Sequence, residues 1–289
     1  AVVGPSGSGK SSVVKAGLAP ALRRGGLPGS ENWFTTQMTP GAHPFEELEA
    51  ALLRVAVNSP ASLLSQLRES ERGLLRAVRR ILPDDDITEL VLMVDQFEEL
   101  FTLTEAEPER ADFLASLLAA VLEPNSRLHV VITLRADFTD RPLQYVDFGE
   151  LVRQRTEFVL PLMPDELEQA ITGPARRGGL MVEPGLVARM VREVGDQPGA
   201  LPLLQYALTE LYEQRDGRRL TQAAYQKIGG AGGALAGRAE LIYAGLGEPE
   251  KKAARQALLR LVTLGEGVED TRRRVLRSEI EALSGSKEE

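Results

Sequence analysis

Over the first 160 residues, short apolar runs alternate with stretches whose apolar positions recur every three or four residues. Val91-Leu92-Met93-Val94 is one run, Val130-Val131-Ile132-Thr133-Leu134 a second and Phe158-Val159-Leu160 a third. Runs that are apolar on both faces suit strands of a parallel sheet covered by helices. Trp33 to Gln37 is a weaker strand candidate, and Ala1-Val2-Val3 reads as the end of another. Between these runs, Phe45, Leu48, Leu52 and Val55 share one helix face; Phe113, Leu114, Leu117, Leu118, Val121 and Leu122 share another. The alternation predicts an α/β fold with a doubly wound parallel sheet.

After Pro161 the strand signals nearly stop. Pro164-Asp165 opens a helix carrying Leu167, Ala170 and Ile171; a second carries Leu186, Val187, Met190, Val191 and Val194, and a third Leu203, Leu204, Ala207, Leu208 and Leu211. Gly195-Asp196-Gln197-Pro198-Gly199 is the main loop of this helical stretch. Farther on, Thr221 has the character of a helix N-cap, and helical patterns follow near 235–246 and 250–264. Gly265-Glu266-Gly267 breaks the last helix, and Thr271 to Leu276 then reads as a strand. The expected organisation is a sheet domain over 1–160, a helical lid over 161–216 and a winged-helix-like module over 217–289. The chain opens at Ala1 without methionine, three residues before a motif, so it is expected to be a piece of a longer protein with its first strand truncated.

Composition narrows the chemistry. With 43% hydrophobic and 26% charged residues the chain has the balance of a soluble globular protein, and 289 residues suit two domains or three small ones. The formal charge of −8 argues against wholesale coating of nucleic acid, so nucleic acid is not an expected partner. The absence of cysteine excludes disulfides, thiol nucleophiles and the common zinc clusters. His43 and His129 are the only histidines, which disfavours histidine metal sites and Ser-His-Asp catalysis. No apolar run approaches the ~20 residues that span a bilayer, and no signal peptide is visible. The expected setting is cytoplasmic, with no membrane partner.

The strongest signal is Gly4-Pro5-Ser6-Gly7-Ser8-Gly9-Lys10-Ser11, which matches G-x-x-x-x-G-K-[ST], the phosphate-binding P-loop. A triphosphate tail needs many donors at short range. The glycines let backbone N–H groups turn inward, and the helix that starts near Gly9 and runs on through Ser12 adds its positive end. Lys10 then places a cation on the β/γ-phosphates and the Ser11 hydroxyl ligates Mg²⁺. The run Leu90 to Val94 ends in Asp95, placed to hold Mg²⁺ through water in the Walker B role; the plainer alternative is a turn-capping aspartate. Gln96-Phe97-Glu98-Glu99 follows. Hydrolysis wants a group that orients or deprotonates the attacking water, and Glu98, Glu99 and Gln96 all remain candidates beside the reading that the glutamates are a solvated helix start. Arg135, at the end of the run through Leu134, would face the ligand crevice of a doubly wound sheet and sense the γ-phosphate; the alternative is an ion pair with Asp137 or Asp140.

The P-loop, Val94-Asp95-Gln96-Phe97-Glu98-Glu99-Leu100-Phe101 and Thr133-Leu134-Arg135-Ala136-Asp137-Phe138 together resemble the STAND class of P-loop ATPases, AAA+-like in core. The resemblance is closest to the bacterial "novel STAND" type that often precedes WD or tetratricopeptide repeats. Gly199-Ala200-Leu201-Pro202-Leu203-Leu204 resembles the class's GxP-type motif, and Glu269 to Val275 its winged-helix end. The resemblance implies a switch in signal transduction. A closed ADP form opens on a signal from downstream repeats, ATP replaces ADP, and the protein becomes a conditional homo-oligomer with an effector domain in the parent chain. It implies ATP/ADP and Mg²⁺ as cofactors, Lys10 and Ser11 on phosphate and metal, Asp95 as the metal acid, Arg135 as sensor 1 and Pro202 at the adenine. The class often carries a winged-helix histidine on the β-phosphate; this chain has none after His129, which leaves Arg272, Arg273 or Arg274 for that contact.

Three rivals stand beside this reading. A DNA-associated AAA+-like ATPase would use Lys251, Lys252, Arg255, Arg260, Arg272, Arg273, Arg274 and Arg277, although acidic residues are interleaved with them. A small-molecule P-loop kinase would want a compact single domain. A pseudo-ATPase would hold nucleotide as structural glue.

Overall fold

A computed structural model describes residues 1–58, 62–85, 87–195, 201–263 and 271–272, the last two and 262–263 by backbone alone. The chain divides into two compact units, Ala1–Met163 with Gly195–Pro202, and Pro164–Val194 with Leu203–Glu289.

The first unit is a parallel sheet of β1 (Val2–Gly4), β2 (Phe34–Met38), β3 (Leu90–Val94), β4 (Leu128–Arg135) and β5 (Glu157–Phe158), in spatial order β2-β3-β4-β1-β5. All five residues of β3 are buried, as a central strand covered on both faces requires. The faces divide with the strand's period of two. Leu90, Leu92 and Val94 join one core cluster with residues of α3 (Pro44–Leu53), α4 (Leu63–Glu69), α5 (Gly73–Ile81) and α7 (Glu107–Leu122), while Val91 and Met93 pack with Val14, Ala19 and Leu22. Those last residues belong to a helical segment over 10–23: α1 (Lys10–Ser12), a π-helical turn (Val13–Leu18) and α2 (Ala19–Arg23). The short α6 (Glu99–Thr102) follows β3, and α8 (Val146–Gln154) precedes β5.

The expected strands and helices of this unit are present, with adjustments. The third apolar run pairs earlier than expected, at Glu157–Phe158, with Val159 N–H donating to the Val3 carbonyl. Helix α3 stops at Leu53, so Val55 lies beyond it. Helices α4, α5 and α8 go beyond the pattern reading. Trp33 sits at the N-terminal end of β2 and stacks on His129, 4.7 Å between ring centroids. That end lies opposite the strand C-termini.

The second unit is mainly helical. It holds α9 (Pro164–Arg177), α10 (Leu186–Gly195), α11 (Leu201–Glu213), α12 (Gln222–Lys227), α13 (Gly230–Ala244) and α14 (Glu248–Arg260), with Gly195, Leu201 and Pro202 grouping with the first unit. The buried stripes follow helical spacing: Leu167, Ile171 and Ala175 on α9; Leu186, Met190 and Val194 on α10; Leu204, Ala207 and Leu211 on α11. Thr221 caps α12, its hydroxyl accepting from Ala224 N–H at 3.2 Å. Of two short strand pairs the first was not expected, and the second takes in the start of the expected strand Thr271 to Leu276. β6 (Met181–Val182) runs parallel to β7 (Arg219–Leu220), and β8 (Val262–Thr263) runs antiparallel to β9 (Thr271–Arg272). The last helix therefore ends at Arg260, short of the expected 264. Most of the expected loop at 195–199, the break at 265–267 and the greater part of the expected winged-helix end lie outside the described residues. No described helix is long and apolar enough to cross a membrane.

Candidate functional site

Residues 5–9 connect β1 to α1 in the conformation that the motif demands. Gly9 has φ 92°, in the left-handed region that glycine adopts without cost, and turns the chain into the helix. Gly4 is needed for space: a Cβ there would lie 2.7 Å from Ser8 Oγ and 3.1 Å from the Val159 carbonyl. Lys10 is buried, and its Nζ donates to the carbonyls of Gly4 at 2.9 Å and Pro5 at 2.7 Å. Burial lowers the Lys10 pKa, and the nearby Arg135 charge adds to that, against opposing contributions from Glu98, Asp137 and Asp95.

The second half of the site comes from β3 and β4. Asp95, 5% exposed, follows the last residue of β3 and gathers three donors. Ser11 Oγ and Thr133 Oγ1 each donate to its Oδ1 at 2.6 Å, and Lys15 Nζ lies 2.6 Å from Oδ2. Burial pushes the Asp95 carboxyl up, but the hydrogen bonds from Lys15, Ser11 and Thr133 and the Lys15 charge outweigh it, leaving the group below its ordinary value. The Thr133 hydroxyl also accepts from Gln96 N–H at 3.0 Å, and Gln96 stands at φ 53°, a left-handed conformation that costs a non-glycine residue energy. Such strain concentrates at functional sites.

Glu98 is 7% exposed, and its Oε2 accepts from Arg135 N–H at 3.3 Å, so the solvated-helix alternative fails for this residue. Glu99 opens α6 half-buried. Arg135 ends β4 opposite Gly4 of β1, which sets it beside the phosphate loop. Its guanidinium forms a two-pronged pair with Asp137, 3.0 Å from Nε to Oδ1 and 2.5 Å from Nη2 to Oδ2. That is the alternative raised for it from the sequence; the Asp140 pairing falls to Arg141 instead. Pro202 lies in the first turn of α11, and its neighbour Leu201 places Cδ1 3.9 Å from where a Cβ on Gly9 would stand.

Sequence reasoning missed Lys15 and the role of Thr133. Lys15 follows Ser11 by four residues, a spacing that sets two helical side chains on one face. Thr133 is the one hydroxyl in an otherwise apolar strand run. Both signals are readable once the partner, Asp95, is known.

The residues fit a phosphate chain with a divalent cation. Ser8 Oγ is buried without a hydrogen-bond partner among the described residues, inside the loop that Gly4 keeps open. Ser11 and Asp95 offer the hard oxygens that magnesium prefers. Among the described residues no group of three or more His, Cys, Asp or Glu side chains is placed to hold a metal.

The family model described as Novel STAND NTPase 1 matches residues 1–289. Among solved structures, the chain is similar to the ORC1 protein of Aeropyrum pernix in complex with DNA, at 16% identity and TM-score 0.57 over 98% of this chain and 75% of that one. It is also similar to the ORC2 protein of Aeropyrum pernix in ADPNP–ADP complexes, at 14% identity and TM-score 0.52 over 99% of this chain and 73% of that one. At these identities the likeness shows the fold. No curated protein matches the chain by sequence.

Proposed function

The chain belongs to the Novel STAND NTPase 1 family, and on that premise we propose that it is the ATP-binding, slowly hydrolysing switch module of a larger cytoplasmic signalling protein. Exchange of ADP for ATP drives opening and conditional homo-oligomerisation, with sensor repeats and an effector domain in the parent chain. Residues 161–216 act as the lid and 217–289 as the winged-helix-like module. The observation that carries the reading is the 2.6 Å bond from Ser11 Oγ to Asp95 Oδ1. It brings two oxygen ligands that stand 84 residues apart in the chain to one point beside Lys10.

In this reading the loop from Gly4 through Pro5, Ser6, Gly7, Ser8 and Gly9 to Ser12 cradles the phosphates, Lys10 neutralises them, and Pro202 lies at the adenine. Ser11 and Asp95 hold Mg²⁺, which when bound neutralises β- and γ-phosphate oxygens. Glu98, Glu99 or Gln96 orients the attacking water. The glutamine directly after Asp95 is compatible with slow turnover. Arg135 must leave Asp137 to reach a γ-phosphate, so ATP and ADP differ in their contacts with it, and a ligand shifts an equilibrium only through such a difference.

Calorimetry with ATP and ADP in the presence of Mg²⁺ tests the reading: both should bind, and sedimentation should show a larger species only with a non-hydrolysable ATP analogue. Absence of binding by the folded chain overturns it. One observation favours the rival DNA-associated ATPase, namely that the ORC1 neighbour in fold was solved with DNA. On α14 two acids, Glu248 and Glu250, stand in the first turn ahead of the cations, and Lys251 pairs with Glu248 at 3.0 Å. Binding of duplex DNA by the full chain, with affinity falling steeply between 50 and 200 mM salt, would establish that rival.

A further inference from the structure

Asp95 is engaged on both oxygens. Ser11 and Thr133 supply neutral hydroxyls to Oδ1, and the partner of Oδ2 is a cation, Lys15 Nζ at 2.6 Å. The two kinds of donor differ in consequence. A serine hydroxyl that donates its proton keeps its lone pairs for a metal, and so remains compatible with one. An ammonium in contact with the carboxylate cancels the charge that would attract a divalent cation, and repels that cation.

Backbone and exposure add to this. Lys15 lies in the π-helical turn Val13–Leu18, where Ala19 N–H reaches back to the Val14 carbonyl. Wide turns of this kind recur at functional sites. The Lys15 side chain is 44% exposed although its partner is buried. It also lines a cavity of about 310 Å³ that runs past Ala19 toward Thr36 and Gln37 of β2. A long flexible stem with an open side can withdraw from Asp95 without moving the backbone.

We propose that Lys15 is a positioning residue and the built-in competitor of magnesium at Asp95, holding the carboxylate when no metal is bound and giving it up when the metal arrives. This rests on the nucleotide–magnesium reading above and adds its regulation: Lys15 competes for the carboxylate, so nucleotide grip needs a higher magnesium concentration than the other ligands alone would set. Lys15 is the residue that sets that dependence.

The test is a magnesium titration of ADP binding to the full chain, followed with a fluorescent ADP analogue, in wild type, Lys15→Met and Lys15→Arg. The expected result is a roughly tenfold lower half-saturating magnesium concentration in Lys15→Met, the scale of one unit charge removed from a partly wet site, with Lys15→Arg close to wild type. An unchanged or higher magnesium requirement in Lys15→Met overturns the proposal. A second readout needs no variant. Reductive methylation of wild type, read by mass spectrometry, should label Lys15 faster with ADP plus Mg²⁺ than with ADP alone; equal or slower labelling overturns the proposal. Wild type that binds no nucleotide at any magnesium concentration refutes the underlying reading instead, so the two failures are distinguishable.

Discussion

Thr133 of β4 donates its hydroxyl to Asp95 Oδ1 at 2.6 Å and, through the same oxygen, accepts Gln96 N–H at 3.0 Å. One buried side chain thus ties down Asp95 and the strained residue that follows it. Thr133→Val keeps the shape and removes both bonds, leaving a buried carboxylate one donor short and a backbone N–H without its acceptor. Unpaired buried groups cost about 1–3 kcal/mol. The variant should lose stability on that scale in urea unfolding and bind nucleotide less tightly when magnesium is present. Thr133→Ser should restore both, and equal stability of the Val and Ser variants would mean that the hydroxyl does not hold the site together.

Lys10 and Asp95 should separate by magnesium dependence. Lys10→Ala removes the cation that the Gly4 and Pro5 carbonyls hold at the phosphate loop. A charge-assisted bond is worth roughly 1.5–3 kcal/mol, so nucleotide affinity should fall at least about ten- to a hundredfold with or without metal. Asp95→Asn should leave metal-free binding intact and abolish its strengthening by Mg²⁺. Calorimetry at zero and 5 mM Mg²⁺, conditions chosen for the assay, distinguishes the patterns; unchanged ATP affinity in both variants refutes the site assignment.

The parts of this site that were legible in the sequence are those whose signal is local. The P-loop is contiguous, so its glycines, Lys10 and Ser11 can be read in one line, and Asp95 follows a run whose burial on both faces is written in five consecutive residues. Thr133 and Lys15 act across the register between strands and the turn of a helix, which spacing along the chain does not reveal until the sheet order is known. The pair β6–β7 is two residues long, too short for a period to show. Glu98 was ambiguous for another reason: burial decides between a solvated and a working carboxylate, and burial is a tertiary property.

Of the three candidates that the proposed reading offers for the attacking water, Glu98 is buried, Glu99 half-buried and Gln96 exposed. Glu98 is held by Arg135 N–H, and Arg135 stands opposite Gly4, which sets Glu98 near the phosphate loop. Glu98→Gln should lower single-turnover ATP hydrolysis by about 10²–10⁴ with ATP still bound, the usual range for a lost acid–base group. Glu99→Gln should stay near wild type. Loss confined to Glu99→Gln, or to Gln96→Ala, reassigns the role.

The second unit has a titrating latch of its own. Tyr225 is fully buried, and its hydroxyl donates to Glu193 Oε2 at 2.6 Å and accepts Ala231 N–H at 2.9 Å, which anchors the start of α13 to α10. Arg189 pairs with the same glutamate at 3.0 Å. Burial pushes the Glu193 carboxyl up, but Tyr225, Arg189 and the Ala231 N–H prevail and hold it below the ordinary value. A carboxyl with a depressed folded pKa adds stability in full above its unfolded pKa, about 4.3 for glutamate, and loses it as pH falls through the lower folded value. Glu193→Gln should therefore unfold more easily than wild type at pH 7, and the gap should shrink below about pH 4.3. Tyr225→Phe removes one of the donors and should be less stable at pH 7 by about 1–2 kcal/mol, with part of that deficit vanishing in the same acid window. Urea midpoints across pH 3–7 test this, and a deficit that stays constant with pH in both variants would show that Glu193 does not couple folding to protons.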